Sequence, residues 1–386
     1  MELKDAVRYF VEEDGALECM SIACGTKEQV WCAQENVSPD AVFDLASLSK
    51  LFTGLTAMRL WERGQLDLGA PVTRYEPRLR NLSEVTVAQV LGFELALRTD
   101  VRLDQLPDRE SALAAFFDMK PFPNGDGKAY SDMHAMVISF ILAGAAGFSA
   151  MECVRRELLE PLGMKETWCR VPAEQLHRCL CYDHEHRIEG GRWIVREGIV
   201  PGRCHDPKAT ALSPDGDAFC GHAGLFSTRS DLIRLCQGIL RGEVLQPETL
   251  REMARNRTGR RLEDDRWTQF LGCLCYVRHP VQYFSEVPVY MGDQALALSG
   301  FTGNHLAIDP ERGIFEFYLG NRVHNRLTML IPEKGKNWTD YGLEADGRGS
   351  IEWPGEGRIQ SSVDFVHRKD RHYHPAIAHT LGLEAR

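Results

Sequence analysis

Apolar residues recur at helical spacing near the start of the chain and at strand spacing soon after it. The first pattern predicts an amphipathic helix over 3–12. Two short runs, 16–23 and 29–33, favour β-strands because apolar and β-branched residues flank a turn between them. A second helical pattern predicts a helix over 47–63, which ends at Gly64.

Helical patterns dominate the middle of the chain, and strand patterns return towards its end. Residues 66–168 predict a mostly helical lobe with turns rich in proline and glycine. The C-terminal segment 362–383 is partly helical and is interrupted by Pro375, whereas 335–357 is polar and rich in glycine, which predicts a long loop. The late strand-like runs are 272–277, 287–291, 305–308 and 313–319.

The early hairpin and the late strands predict one antiparallel sheet flanked by helices, with the helical lobe inserted between them. This is an α/β (α+β) fold class. A chain of 386 residues could hold two or three average domains or one large domain with an inserted lobe. We expect a single domain over 1–386, in which 1–65 and 210–386 form an α/β subdomain and 66–209 a mostly helical subdomain.

Composition excludes several classes of partner. Apolar residues make up 44% of the chain and charged residues 26%, as in soluble globular proteins. The net charge of −10 argues against nucleic acid or an anionic membrane as the main partner. The sequence has no run of 18 apolar residues, and the first residues lack the apolar core of a signal peptide. We therefore expect a cytoplasmic protein.

The twelve cysteines occur singly or as Cys-x-Cys, which favours reduced thiols that pack as small apolar residues. A denser group could suggest zinc, but Cys-x-Cys lacks the gap of two to four residues that is typical of structural zinc ligands. We therefore predict no metal and no cofactor. The group comprises His177, Cys179, Cys181, His184 and His186.

Ser47 and Lys50 are the strongest candidates for chemistry. Residues at i and i+3 share one face of a helix, so the hydroxyl and the amine can meet there. An adjacent amine that takes its proton activates a serine as a nucleophile. The helix end at Ser47 also favours a developing alkoxide, and the Ser47 N–H could stabilise an oxyanion. By composition alone, Ser-x-x-Lys should occur about once in a chain of this length, so the pattern needs partners.

Two later motifs supply such partners. Tyr130-Ser131-Asp132 follows a turn-rich segment, and a tyrosine beside a serine–lysine pair can shuttle a proton to a leaving group while Asp132 orients it or the lysine. Leu298-Ser299-Gly300-Phe301-Thr302-Gly303 would suit an edge strand, where small residues let a substrate acyl group approach the backbone.

These three motifs, in this order, resemble those of the serine β-lactamase-like hydrolases. That superfamily includes class C β-lactamases, low-molecular-weight penicillin-binding proteins, esterases and acyltransferases. The resemblance covers roughly residues 1–330 and implies the β-lactamase/transpeptidase fold. The connecting segments that also match are 62–68, 160–167, 205–207, 221–228 and 321–324.

The resemblance implies an acyl-serine mechanism on a small-molecule ester, amide or peptide. Ser47 would attack the carbonyl while Lys50 and Tyr130 share its proton, and the N–H groups of Ser47 and Phe301 would hold the oxyanion. Water or another acceptor would then release the acyl group. The remaining residues that the resemblance places at the substrate are Asp132, Ser299 and Gly300.

The sequence departs from the family pattern at Leu298, where relatives carry the lysine or histidine that helps bind a substrate carboxylate. This argues against efficient β-lactamase or D,D-peptidase activity and favours a neutral acyl substrate. It also leaves open a catalytically weakened binding or regulatory protein, or an acyltransferase. The triplet ends in Asp132 instead of asparagine, and 93–97 does not match. We expect His222 to be structural, because a lysine-based site does not need it.

Overall fold

The computed structural model describes residues 2–126, 128–198, 200–212, 219–353, 355 and 357–383. A one-turn 3-10 helix at Ala46–Leu48 precedes the second α-helix. The α-helices are α1 (Leu3–Arg8), α2 (Ser49–Glu62), α3 (Val87–Leu91), α4 (Arg109–Phe117), α5 (Asp132–Ala146), α6 (Ala150–Val154), α7 (Pro207–Leu212), α8 (Arg229–Leu240), α9 (Pro247–Met253) and α10 (Phe365–Thr380).

The strands form two larger sheets and two short pairs. Their bounds are β1 (Met20–Thr26), β2 (Val30–Glu35), β3 (Val42–Asp44), β4 (Leu95–Arg98), β5 (Lys120–Pro123), β6 (Glu185–Glu189), β7 (Arg192–Arg196), β8 (Phe226–Thr228), β9 (Tyr276–Val277), β10 (Leu296–Gly300), β11 (Asn304–Asp309), β12 (Ile314–Gly320), β13 (Arg326–Ile331), β14 (Ser350–Trp353) and β15 (Gly357–Ser361).

The central sheet is antiparallel, with the strand order β2-β1-β12-β11-β10-β9. Strand β1 pairs with β12 along its whole length, from Met20 opposite Gly320 to Thr26 opposite Ile314. The early hairpin and the late strands therefore share one sheet, which confirms the predicted fold class.

Helices cover both faces of this sheet, so its strands are apolar on both sides. On β12, Phe315 and Phe317 face the core that contains α2 and α5, while Ile314 and Tyr318 face the core that contains α1 and α10. Side chains alternate between the two faces of a strand, and each buried aromatic ring contributes roughly 1.5–3 kcal/mol. We call the first side the front face and the second the rear face.

The second larger sheet, of order β14-β15-β13-β6-β7, differs from the sequence prediction. The hairpin β6–β7 lies inside the predicted mostly helical subdomain 66–209, and β14 lies inside the predicted loop 335–357. Trp193 and Trp353 stack across this sheet with ring centroids 4.6 Å apart. These strands are short, and β13, which joins the two hairpins, is distant from both in sequence, so local periodicity did not reveal the sheet.

The late strands of the central sheet match the prediction in part. Residues 305–308 and 313–319 lie in β11 and β12, apart from one residue at the start of the second run. Only the end of 272–277 forms a strand, β9. Residues 287–291 form no strand, because Val287 and Met291 pack into the rear core from a turn.

Helix α10 continues through Pro375, where the sequence predicted an interruption. Proline removes one backbone hydrogen bond, but Pro375 lies on the exposed side of the helix, where water can satisfy the freed carbonyl. The neighbouring Tyr373 and Ile377 are fully buried on the other side. Their packing holds the helix together across the proline.

In the described part of the chain, each helix by itself is too short or too polar to cross a bilayer. One bent pair of helical segments, α5 and Ala150–Leu159, is long and apolar enough when both segments are counted together. The two segments meet at 76°.

The predicted division into two subdomains stays a prediction. Its boundary, between residues 209 and 210, falls inside α7.

Candidate active site

Ser47 lies on a sharp turn between a strand and a long helix. β3 ends at Asp44, and the turn that carries Ser47 leads directly into α2, close to the predicted helix start. Ala46 has a φ of 46°, a left-handed conformation that costs a non-glycine residue roughly 1–3 kcal/mol. The backbone N–H groups at this end of the helix favour negative charge on the serine oxygen.

A buried aspartate that sequence analysis missed holds this turn in place. The Asp44 carboxylate accepts hydrogen bonds from the Ala46 N–H at 2.9 Å and from the His205 N–H at 2.7 Å. Its backbone carbonyl accepts from Thr302 Oγ1 and Asn304 Nδ2, each at 2.8 Å. Asp44 therefore joins the Ser47 turn to the loop before α7 and to the turn between β10 and β11.

Lys50 is brought to Ser47 as predicted. Its Nζ lies 2.7 Å from Ser47 Oγ and 2.8 Å from Asp132 Oδ1, and 3.4 Å from the carbonyl oxygen of His222. The lysine side chain is fully buried. A buried ammonium is costly unless it is paired and hydrogen-bonded, and these three acceptors meet that requirement.

Asp132 begins a chain of alternating charges behind Lys50. Its second oxygen lies 2.8 Å from Lys208 Nζ. Lys208 in turn lies 3.6 Å from Asp206 Oδ2, and Asp206 Oδ1 lies 2.9 Å from Nε2 of the buried His222. The residue that replaces the family's usual asparagine thus bridges two lysines.

This network sets the protonation states around Ser47. Burial lowers the pKa of Lys50, but the negative charge of Asp132 outweighs it and raises that pKa above its ordinary value. Burial raises the pKa of Asp132, yet Lys50, His222 and Lys208 hold it well below the ordinary value. Lys50 is therefore an ammonium in the resting protein, and Asp132 is a carboxylate.

Tyr130 lies beside Lys50 but presents its ring. Lys50 Nζ is 4.9 Å from the ring centroid, and the ring stacks between Phe93 and Tyr276 with centroids 5.5 and 5.1 Å away. The Tyr130 hydroxyl is buried and has no hydrogen-bond partner among the described residues. It is thus a donor and acceptor that a bound substrate could satisfy.

The end of β10 packs directly against the Ser47 turn. A Cβ atom on Gly300 would lie 2.7 Å from the carbonyl oxygen of Leu45, so only glycine permits this close approach. Phe301 follows and borders the cleft that contains Ser47. Ser47 and Phe301 therefore line the same cleft, and the oxyanion role of their N–H groups stays a prediction.

Ser299 is not brought to this site. Its side chain faces the rear of the sheet, where its hydroxyl donates to Glu286 Oε2 at 2.8 Å and lies 3.0 Å from His305 Nδ1. Leu298 faces the front but is fully buried in the apolar core. The position that usually carries a cation therefore lies beneath the cleft surface.

The Ser47 cleft has a volume of about 670 Å³ and a strongly charged wall. The predicted residues Ser47, Tyr130, Asp132 and Phe301 line it. The other charged or titratable residues along it are Asp100, Arg102, Asp104, Arg187, Arg196, His205, Asp206 and Lys208.

Sequence analysis missed most of this wall. The segment 205–207 was noted only as a match to the family, and nothing marked Lys208 as the partner of Asp132. Arg187 and Arg196 come from the hairpin β6–β7, which lies beyond the helical patterns of 66–168 but inside the predicted mostly helical subdomain 66–209. A strand prediction there would have shown both arginines on one hairpin. His222, predicted to be structural, is buried and contacts the network through Asp206.

The negative charge of Asp132 beside Lys50 predicts that activity rises towards alkaline pH. Only the neutral amine of Lys50 can accept the Ser47 proton, and its raised pKa means that this fraction grows with pH up to that pKa. Asp132→Asn removes an anionic partner, so the alkaline rise should move to lower pH. For each unit of pKa lost, the neutral fraction at pH 7 should increase about tenfold.

The measurement is kcat/KM against pH for a short-chain p-nitrophenyl ester. Asp104→Asn is the matched control, because Asp104 lines the same cleft but pairs with Arg102 at 2.7 Å. A profile for Asp132→Asn that rises at the same pH as the wild type would contradict the assignment of Lys50 as the base.

Comparison with known proteins agrees with this geometry. The family model described as Beta-lactamase matches residues 4–331. The esterase EstB of Burkholderia gladioli is 29% identical over 245 residues, which cover 56% of this chain and 61% of the esterase. The match thus spans less than two thirds of the length of that relative.

Solved structures show the same fold. A class C beta lactamase from Rhodobacter sphaeroides superposes with a TM-score of 0.62 at 20% identity, covering 83% of this chain and 93% of the other. EstCE1, described as a hydrolase with promiscuous acyltransferase activity, gives a TM-score of 0.63 at 18% identity, covering 82% and 92%. With the match over 4–331, the chain belongs to the beta-lactamase family of serine hydrolases.

Proposed function

We propose that this protein hydrolyses small esters or amides through an acyl-enzyme on Ser47. The observation that carries the proposal is the distance of 2.7 Å between Lys50 Nζ and Ser47 Oγ, on a sharp turn that borders an open cleft. A serine and a buried amine in such contact form a nucleophile with its base. The esterase EstB, similar in sequence, supports an ester as the substrate.

In the first step, Ser47 Oγ forms a bond to the substrate carbonyl carbon and its proton passes to the neutral amine of Lys50. The N–H groups of Ser47 and Phe301 stabilise the resulting oxyanion. The tetrahedral intermediate then collapses, the bond to the leaving group breaks, and the leaving oxygen or nitrogen takes the proton from Lys50. The Tyr130 hydroxyl, which has no hydrogen-bond partner among the described residues, can relay that proton.

In the second step, water attacks the acyl-serine, releases the acid and returns the proton to Ser47. An alcohol or amine in place of water would make the protein an acyltransferase. The structural similarity to EstCE1, which is described as having promiscuous acyltransferase activity, supports this as the second candidate function. Both reactions share the acyl-enzyme.

The charged wall changes the expectation of a neutral substrate. Leu298 supplies no cation, but Arg187 and Arg196 line the cleft from the hairpin β6–β7. Both arginines contact the buried Glu185, at 2.8 and 3.9 Å, and Arg187 also lies 3.9 Å from Glu189 Oε1. The planar guanidinium groups suit a carboxylate, so this wall favours acyl substrates that carry one.

The experiment compares two activated esters and locates the adduct. We expect turnover of p-nitrophenyl butyrate, with kcat/KM for the mono-p-nitrophenyl ester of succinic acid about tenfold higher because an arginine can bind its carboxylate. A fluorophosphonate probe followed by peptide mapping should place the label on Ser47.

Equal turnover of the two esters would reject the arginine anchor and leave the esterase. Absence of both the adduct and turnover would reject the enzyme and favour a binding or regulatory protein that keeps the fold.

A further inference from the structure

A second group of functional side chains lies behind the central sheet, on the face opposite Lys50. His305 on β11, Glu316 on β12 and His374 on α10 are all buried, each at most 2% exposed. His305 Nε2 lies 2.9 Å from Glu316 Oε1, and His374 Nε2 lies 3.9 Å from the same oxygen. We call these three residues the rear cluster.

Each histidine of the rear cluster is oriented through its other ring nitrogen. His305 Nδ1 lies 3.0 Å from Ser299 Oγ, and His374 Nδ1 lies 2.7 Å from Asp370 Oδ1. Both Nε2 atoms therefore point towards Glu316. Metal-binding histidines are oriented in the same way, with the second nitrogen held by a carboxylate or another polar group.

The atoms that converge lie close together but are poorly aligned for hydrogen bonding. His305 Nε2, His374 Nε2 and both carboxylate oxygens of Glu316 are buried, and among the described residues none of them has a well-aligned hydrogen bond, although His305 Nε2 is only 2.9 Å from Glu316 Oε1. Buried polar atoms without a partner are rare in folded proteins. Four such atoms around one point indicate that a further group binds there.

The charge around the rear cluster is negative. Three carboxylates contact its histidines, namely Glu286, Glu316 and Asp370. Lys369 lies 3.1 Å from Glu286 Oε2. Glu316 has no lysine or arginine in its ion pairs among the described residues, so a bound cation would compensate its buried charge.

We propose that His305, Glu316 and His374 form a zinc site that fastens α10 to the central sheet. Two imidazole nitrogens and one carboxylate oxygen are a zinc ligand set. Ligands about 2 Å from a tetrahedral zinc lie about 3.3 Å from one another, and the observed separations of 2.9 and 3.9 Å bracket that value. Water completes the fourth position.

The test measures metal content and thermal stability of the full chain. Protein purified without a metal-affinity column should contain close to one zinc per chain by elemental analysis. After treatment with a chelator, added Zn²⁺ in thousandfold excess over its Kd should raise the Tm by about 5 °C. Both effects should be lost in His374→Ala and in His374→Phe.

The second of these variants fills the volume of the imidazole, so that loss of zinc can be separated from loss of packing. His379→Ala is the matched control, because His379 lies on the same helix but is 64% exposed, and it should keep the metal. The proposal would be overturned if the purified protein contains no zinc and its Tm does not change when Zn²⁺ is added. Zinc retained by a folded His374→Phe variant would also overturn it. Neither result depends on esterase activity.

Discussion

Replacing Ser47 with alanine is expected to lower kcat/KM for p-nitrophenyl esters by about 10⁴-fold, or ~5.5 kcal/mol of transition-state stabilisation. The substitution removes the atom that would form the acyl bond, and neither Lys50 nor Tyr130 offers a second nucleophile on this turn. The fold should be kept, because Ser47 Oγ makes its hydrogen bond to Lys50, which retains Asp132 and the His222 carbonyl.

Two measurements check this result: initial rates of ester hydrolysis and the mass of the protein after fluorophosphonate treatment. Ser230→Ala is the matched control, since Ser230 is an exposed serine in the first turn of α8. Labelling that persists in Ser47→Ala would place the nucleophile elsewhere. A rate that falls equally in both variants would point to a general effect on the protein.

Gly300→Ala should lower kcat about 10²- to 10³-fold, which corresponds to ~2.7–4 kcal/mol, the effect of losing one oxyanion donor. The new Cβ would lie 2.7 Å from the Leu45 carbonyl oxygen and 3.2 Å from Asn304 Cβ. Because the first of these contacts is backbone, β10 must move away from the Ser47 turn. Phe301 N–H would then leave the position at which the oxyanion forms.

The matched control is Gly69→Ala, where the nearest atom to a Cβ is Asp67 Oδ1 at 3.4 Å, on a flexible side chain. Burst kinetics distinguish the acylation step from deacylation, and the loss should appear in acylation. Similar rates for Gly300→Ala and the wild type would show that the close approach of β10 is not needed for catalysis.

The part of the site that sequence could predict is the part built by one helix turn. Ser47 and Lys50 are three residues apart, so helix geometry alone brings them together. Tyr130 and Gly300 were located by resemblance to a family, and the structure places both near Ser47. Their exact contacts depend on packing between elements far apart in the chain, which no local pattern encodes.

Ser299 shows why a motif does not fix the direction of a side chain. Neighbouring residues on a strand face opposite sides, so Gly300 can border the cleft while Ser299 joins Glu286 and His305 behind the sheet. The same alternation explains the rear cluster. His305 and Glu316 lie on different strands, and His374 comes from a helix beyond a predicted loop.

The network around Lys50 was beyond sequence analysis for a related reason. Asp132 is 82 residues from Lys50, and its second partner, Lys208, lies in the short helix α7, for which the sequence showed no periodic pattern. Charged residues on a surface are mostly solvated, so a charge pattern alone could not single out Lys208. Only the fold shows that Lys208 shares Asp132 with Lys50.

The pairing of β1 with β12 also determines when this enzyme can form during synthesis. Roughly 290 residues separate the end of β1 at Thr26 from the start of β12 at Ile314, which a ribosome translates in roughly 15–60 s at ~5–20 residues per second. Until then β1 lacks one neighbour and the turn at Ser47 lacks its contacts from Thr302 and Asn304. The nascent chain therefore carries Ser47 and Lys50 long before the strands that complete the site have been made.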